Sequence, residues 1–262
     1  METISILGSG WLGLPLAHHF TEQGHVVKAS TTSNNRIPDL KSIGAEPFIV
    51  DINSLNSDIK PFLQADILIV NIPSKNVDAF RRLIGEIEAS NIEKVLFVSS
   101  TSVYQNVQKT IKESDSDLYS TSPLLEIEKL FTECGSGRTT ILRFGGLIGY
   151  SRHPGRFFKP GRIVQNPDTL VNLIHRDDCV EIIGRIVEQQ VWGELFNACT
   201  DTHPTKREFY TRARESLGMA PPEFGETSVG VGKLISNEKL KRMLDYEFIH
   251  PDLMKIEFER TT

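Results

Sequence analysis

Three cysteines in 262 residues, Cys134, Cys179 and Cys199, are too few and too scattered for a disulfide framework. No CxxC or Cys/His cluster is present, so no metal site is expected. No apolar run reaches the roughly 18 residues that a bilayer-spanning helix needs. A basic excess is missing too: 29 Lys and Arg stand against 34 Asp and Glu, a net charge of −5. That balance argues against a general nucleic-acid binder. The apolar N-terminus METISILGSGWLGLPLA lacks the basic residues that open a secretory signal. A cytoplasmic chain with neither membrane nor nucleic-acid partners is expected.

What is present is a core. Apolar residues make up 39% of the chain and charged residues 24%, the balance of a globular protein. Short Val/Ile/Leu-rich runs fall at 3–7, 25–29, 46–50, 66–71, 94–99 and 139–144. Most are too continuous to have one wet face, which fits strands covered on both sides. Amphipathic stretches at 14–23, 76–90 and 124–134 read as helices between them. This alternation predicts an α/β fold with a doubly wound parallel sheet. After Phe144 a Gly- and Pro-rich stretch at 145–167 reads as irregular. A strand at 170–174, a helix at 177–190 and a strand at 195–198 follow, then helices at 205–217 and 237–244. Thr205 and Glu208 have capping-box spacing. Residues 1–144 and 170–198 are expected to form the sheet domain, and 145–169 with 199–262 a small substrate-binding cap.

Gly8-Ser9-Gly10-Trp11-Leu12-Gly13 is a GxGxxG placed directly after the first strand and opening a helix. In that context the first glycine permits the tight turn and the second admits a pyrophosphate. The third lets helix pack on strand. The helix start favours the anion. A Rossmann-type dinucleotide site is the expectation, with Gly8, Gly10, Trp11, Leu12 and Gly13 around the cofactor. An NAD site usually has a carboxylate at the end of the second strand, and here there is none. The segment Ala29-Ser30-Thr31-Thr32-Ser33-Asn34-Asn35-Arg36 offers hydroxyls, amides and a guanidinium instead. Ser30, Thr31 and Arg36 suit a 2′-phosphate, so NADP is expected ahead of NAD.

The glycine turn, Asp51, the run Ser99-Ser100-Thr101-Ser102-Val103-Tyr104 and Leu142-Arg143 together resemble the extended short-chain dehydrogenase/reductases. That is the superfamily of nucleotide-sugar epimerases and dehydratases. Leu173-Ile174-His175-Arg176-Asp177-Asp178 and Gly193-Glu194-Leu195-Phe196-Asn197-Ala198 match further motifs, as does Ser236-Asn237 with Leu240 and Leu244. They follow in order, so the resemblance spans the chain. The wording SSTSVY, RHPGRFF and VNLIH is similar to a bacterial YeeZ-like subgroup of NAD(P)-dependent oxidoreductases or epimerase-like proteins. The resemblance implies that Asp51 bonds the adenine amino group and that Asn71, Ile72 and Pro73 line the adenosine ribose. Ser100 would steady the substrate's hydroxyl or carbonyl. His175, Asp177 and Asp178 match an element that usually caps the following helix. Epimerase-like relatives often dimerise through the helices here placed at 76–90 and 124–134, so a homodimer is an expectation.

One departure is plain. The superfamily's chemistry needs Tyr-x-x-x-Lys on a helix, so that an ammonium one turn away lowers the phenol's pKa. Here Tyr119 has Pro123 at the lysine position, and Lys129 lies ten residues on. Tyr119 is nonetheless the candidate acid/base beside Ser100. The loop Tyr150-Ser151-Arg152-His153-Pro154-Gly155-Arg156-Phe157-Phe158-Lys159-Pro160-Gly161-Arg162 carries four cations and three aromatics. Arg152, Arg156 and Phe157 are the candidate substrate contacts, for a diphosphate or carboxylate and a stacked ring. The expectation is an NAD(P)-binding oxidoreductase or epimerase-like enzyme acting on a small, anionic, hydroxyl- or carbonyl-bearing substrate. The alternative is a cofactor-bound sensor or scaffold that has lost catalysis.

Overall fold

The computed structural model describes residues 1–55, 59–134, 138–159, 161–229 and 231–258. Elements follow in the order β1 (Thr3–Leu7), α1 (Gly13–Glu22), β2 (Val26–Thr31), α2 (Ile37–Ser42), β3 (Glu46–Ile49) and β4 (Ile67–Val70). Next come α3 (Val77–Glu88), β5 (Lys94–Ser100), β6 (Lys109–Ile111), α4 (Pro123–Cys134), β7 (Thr139–Phe144) and β8 (Gly146–Ile148). The chain continues through β9 (Leu173–His175), α5 (Arg176–Glu188), β10 (Leu195–Ala198), α6 (Lys206–Glu215), β11 (Lys233–Ile235) and α7 (Glu238–Leu244). Seven strands form one parallel sheet in the order β10-β7-β5-β4-β1-β2-β3. β1 lies between β2, in register Thr3↔Val26, and β4, in register Ile4↔Ile67. The expected doubly wound α/β architecture is what forms.

Two compact units are distinguished. The first comprises Met1–Ser99, Thr121–Leu142 and Val180–Leu195. The second comprises Ser100–Ser120, Arg143–Cys179 and Phe196–Thr262. In the first unit, Ile4, Ile6 and all four residues of β4 are fully buried, as the unbroken apolar runs require. α3 buries Phe80, Leu83, Ile84 and Ile87, one helical stripe at i, i+3, i+4 and i+7. Asn76 caps it by accepting from the Ala79 N–H. Phe97 stacks on Phe131 at 4.5 Å between ring centres, and Phe80 meets both edge-on at 5.8 Å. Each such ring contributes roughly 1.5–3 kcal/mol by leaving water.

In the second unit the strands are shorter. β6 pairs in parallel with β11, and β8 with β9. Ile148, Val171, Leu173, Phe209, Leu253 and Ile256 form a buried cluster. α6 opens with the expected reciprocal cap between Thr205 and Glu208. Two expectations shift here. The strand expected at 170–174 is confined to Leu173–His175, while Leu170 makes a single bridge to Thr205. The stretch 145–167 is not wholly irregular, since it contains β8 and a 3-10 turn at Pro154–Arg156. Pro160 lies outside the described residues. Three-residue strands are too short to show periodicity, which is why β6, β8 and β11 leave no pattern.

Candidate functional site

The glycine turn joins β1 to α1. Gly8 has φ +99°, a conformation that side chains resist. A Cβ there would lie 2.5 Å from both the Asn71 carbonyl oxygen and Ile72. At Gly13 a Cβ would meet the Gly8 carbonyl oxygen at 2.0 Å, so this glycine permits the helix to close on the strand. Gly10 differs: a Cβ built on it meets nothing within 4 Å. The first and third glycines are required by the protein's own packing. The second faces open space, which is where a pyrophosphate would approach backbone N–H groups at the helix start. These residues fit a dinucleotide.

Neighbouring side chains hold the turn. The Ser30 hydroxyl accepts from the Gly8 N–H at 2.9 Å, and the Ser30 carbonyl accepts from the Ser9 N–H at 2.9 Å and hydroxyl at 2.6 Å. Asn71 donates through Nδ2 to the Gly8 carbonyl at 3.3 Å. Ser30 is buried, so its hydroxyl serves the loop. Thr31 ends β2, its Oγ1 accepting from the Ser33 N–H at 3.2 Å. Arg36 reaches back over the turn, Nη2 donating to the Ser9 carbonyl at 3.4 Å, and pairs with Asp39 at 2.9 Å. Asp51 is exposed and caps a short 3-10 turn, accepting from the Asn53 N–H at 2.9 Å. Ile72 is half-buried and Pro73 exposed just past β4, while Leu12 is buried and Trp11 half-buried at the start of α1. Gly8, Ser9, Gly13, Ser30, Arg36 and Asn71 are thus brought together around one turn.

In the second unit Ser100 closes β5, and its Oγ accepts from the Ser102 N–H at 3.1 Å. Tyr119 is not on a helix. It forms an antiparallel bridge with Tyr104, and α4 begins only at Pro123. The helix-borne dyad is therefore excluded by backbone geometry as well as by residue type. A cation is nevertheless present. The Arg143 guanidinium, almost wholly buried, lies 4.7 Å from the Tyr119 ring centre and 4.9 Å from that of Tyr104. Its Nη1 donates to the Tyr104 hydroxyl at 2.7 Å, which donates in turn to Asn197 Oδ1 at 3.0 Å. Burial pushes the Tyr104 phenol up to about 12, with Arg143 and Asn197 only partly opposing it, so Tyr104 stays protonated. The Asn197 N–H donates to Glu113 at 2.8 Å. Lys233 donates to the carbonyls of Tyr104 at 2.8 Å and Thr101 at 3.0 Å, its ammonium pulled down by burial. Glu113 and Lys233 are absent from the sequence expectation, because nothing local marks them as partners, and Asn197 enters it only as part of a matched motif. Arg143 appears there only within a motif.

Arg152, Arg156 and Phe157 are exposed on the loop after β8. His153 anchors that loop: it is buried, its Nδ1 accepts from the Gly155 N–H at 3.1 Å, and its ring packs on Phe258. Phe158 meets Tyr210 edge-on at 4.7 Å.

A seven-stranded parallel sheet with a GxGxxG turn between its first strand and helix defines the Rossmann-type, doubly wound α/β fold. No family model matches the chain. The chain is 29% identical, over 99% of its own length and all of the other's, to protein YeeZ of Escherichia coli K12. In fold it matches a protein of Methylobacillus flagellatus proposed to be an NAD-dependent epimerase/dehydratase. The TM-score is 0.80 at 25% identity, covering 96% of this chain and 94% of that one. It also matches the UDP-glucuronic acid 4-epimerase of Bacillus cereus in complex with UDP-glucuronic acid and NAD. There the TM-score is 0.78 at 17% identity, covering 96% and 95%. Among the described residues no helix is long and apolar enough to cross a membrane.

Proposed function

We propose that this chain binds NADP, with NAD as the weaker ligand, on the Gly8–Gly13 turn. We further propose that it acts as an oxidoreductase or epimerase-like enzyme on a small, anionic, hydroxyl- or carbonyl-bearing substrate. The observation that carries the reading is Gly10: the middle glycine of a closed turn faces open space, while its neighbours are needed by the fold. Arg36, already bonded to the Ser9 carbonyl, is the cation for a 2′-phosphate, with Thr31 beside it on the chain. Asp51 would take the adenine amino group. Asn71, Ile72 and Pro73 would line the ribose. When bound, the nicotinamide supplies the hydride acceptor or donor.

The second unit would hold the substrate. A hydroxyl has one donor and two acceptor sites, and Ser100 spends one acceptor on the Ser102 N–H. Its O–H is left to bond the reacting oxygen. Tyr119, against the Arg143 guanidinium, is the proton-transfer candidate. Arg152 and Arg156 would clamp a carboxylate or diphosphate, and Phe157 would cover a ring. A homodimer through α3 and α4 belongs to the same reading; those helices are already linked by an Arg81–Glu126 pair at 2.9 Å.

The position of Tyr119 off the helix favours one second reading, a cofactor-bound sensor without catalysis. Following NADPH oxidation against a panel of carbonyl compounds and nucleotide sugars separates the two. Turnover that falls in Ser100→Ala supports the enzyme. Tight NADPH binding without turnover supports the sensor. Absence of nucleotide binding ends both.

A further inference from the structure

His175, Asp177 and His250 converge although 72 residues separate the last two. His175 ends β9, Asp177 lies in the first turn of α5, and His250 sits on the segment after α7. Asp177 Oδ2 lies 3.2 Å from His175 Nδ1 and 3.1 Å from His250 Nε2. The three donor atoms are all within 4.8 Å of one another. Ligands bound at about 2.0–2.2 Å to one ion end up roughly 3.0–3.5 Å from their neighbours, so two of the three spacings already match a coordination sphere.

The surroundings hold these atoms in place. The His175 ring is wedged against Gly149, where a Cβ would lie 2.3 Å from Nε2, so Nδ1 is the nitrogen that faces Asp177. Tyr150 donates to the other Asp177 oxygen at 2.9 Å. Asp178, expected as a helix cap, is instead fully buried and accepts from Tyr246 Oη and the N–H groups of Ile249 and His250. Thr200 donates to the His250 carbonyl. These contacts fix the segment that carries His250, the role outer partners play around metal ligands.

One carboxylate oxygen and two imidazole nitrogens face one another at the centre of the cluster. His175 Nδ1 meets both the Asp177 N–H, at 3.3 Å, and the Asp177 carboxylate Oδ2, at 3.2 Å. The N–H contact is longer than an ordinary N–H···O bond and yields cheaply to a cation. Asp177 and His250 keep 33% and 27% of their side-chain surface exposed, so water reaches the cluster and can fill the remaining positions. Arg176, the nearby cation, is spent on the Tyr150 ring at 3.5 Å.

We propose that His175, Asp177 and His250 bind one first-row divalent cation of the zinc class, through two imidazole nitrogens and one carboxylate oxygen. The ion ties the segment carrying His250 to the start of α5. Two imidazoles with one carboxylate and open positions suit zinc and its neighbours over calcium or magnesium.

The test is calorimetric titration of the chelator-treated full chain with zinc chloride alone. One equivalent is expected to bind, with release of protons and a higher melting temperature. His250→Ala and His250→Gln should each weaken binding by about tenfold or more, and Tyr150→Phe by less. Circular dichroism confirms that each variant is folded, with the two replacements of His250 guarding against failure of one. His18→Gln removes a surface histidine paired with Glu22 and should change nothing. The proposal is overturned if the native chain takes up no zinc, if both His250 variants bind it unchanged, or if His18→Gln abolishes uptake instead.

Discussion

Around the glycine turn of the first unit polar side chains mainly serve the backbone; around Arg143 in the second they mainly serve one another. Around Gly8–Gly13, Ser30, Asn71 and Ser9 are spent on main-chain groups, and the surface left open is glycine backbone at Gly10. Around Arg143, a buried cation lies against two neighbouring tyrosine rings and is bonded to Tyr104, which is bonded to Asn197. A backbone-built site depends on a few spacings and tolerates change elsewhere. A side-chain-built site depends on every member of its network, because an unpaired buried polar group costs several times what the bond contributes.

That contrast can be broken or sharpened by substitution. The largest effect is expected at Gly13→Ala, whose Cβ would be driven into the Gly8 carbonyl. Denaturant unfolding should show a loss of about 3 kcal/mol, and an unchanged midpoint would mean the turn is not the packed junction described. Arg143→Ala removes the cation shared by two rings and should cost roughly 2–4 kcal/mol. Arg143→Lys should recover only part, since an ammonium lacks the planar fork that bonds the Tyr104 hydroxyl and meets both rings; full recovery would reduce the network to a point charge.

Arg36→Ala should weaken NADPH binding roughly tenfold while leaving NADH nearly unchanged, the expected size of one charge-assisted bond to phosphate. Equal losses for both nucleotides would assign Arg36 to the turn alone. Thr205→Ala breaks the capping box of α6 and should cost about 1 kcal/mol in the second unit, readable as a lowered melting temperature. The smallest effect is a pH dependence. Burial, with Arg156 nearby, holds the His153 imidazole below its ordinary 6.5. Its folded-state pKa is depressed, so its contribution is complete above about 6.5 and is lost as pH falls through the lower folded value. His153→Asn should flatten stability between neutral and mildly acid pH, and an unaltered slope would clear His153 of the effect.

The same contrast explains what was legible beforehand. The glycine turn could be read because φ > 0 and close packing translate directly into residue type at fixed spacing. The strands of the central sheet could be read because burial on both faces imposes unbroken apolar runs. Thr205 and Glu208 announced α6 by a three-residue spacing. Nothing comparable announces Arg143, whose partners lie at 104 and 119, with Tyr104 bonded on to Asn197, or Glu113 and Lys233, which reach the same cluster from two further segments. Tyr119 could be numbered but not placed: Pro123 starts α4 rather than interrupting it, so the tyrosine falls into an extended bridge with Tyr104. The Ser30 hydroxyl, expected at the cofactor, accepts from the Gly8 N–H within the turn itself. Local rules report the backbone; networks assembled from distant segments become visible only once the chain is folded.

The most direct test of the account is the affinity of Gly10→Ala for NADPH, measured by fluorescence titration beside its unfolding midpoint. Gly10 touches no protein atom through its missing side chain, so the variant should fold as stably as the native chain and lose most of its nucleotide affinity. Nucleotide binding equal to the native chain's would contradict the assignment of the pyrophosphate to this turn.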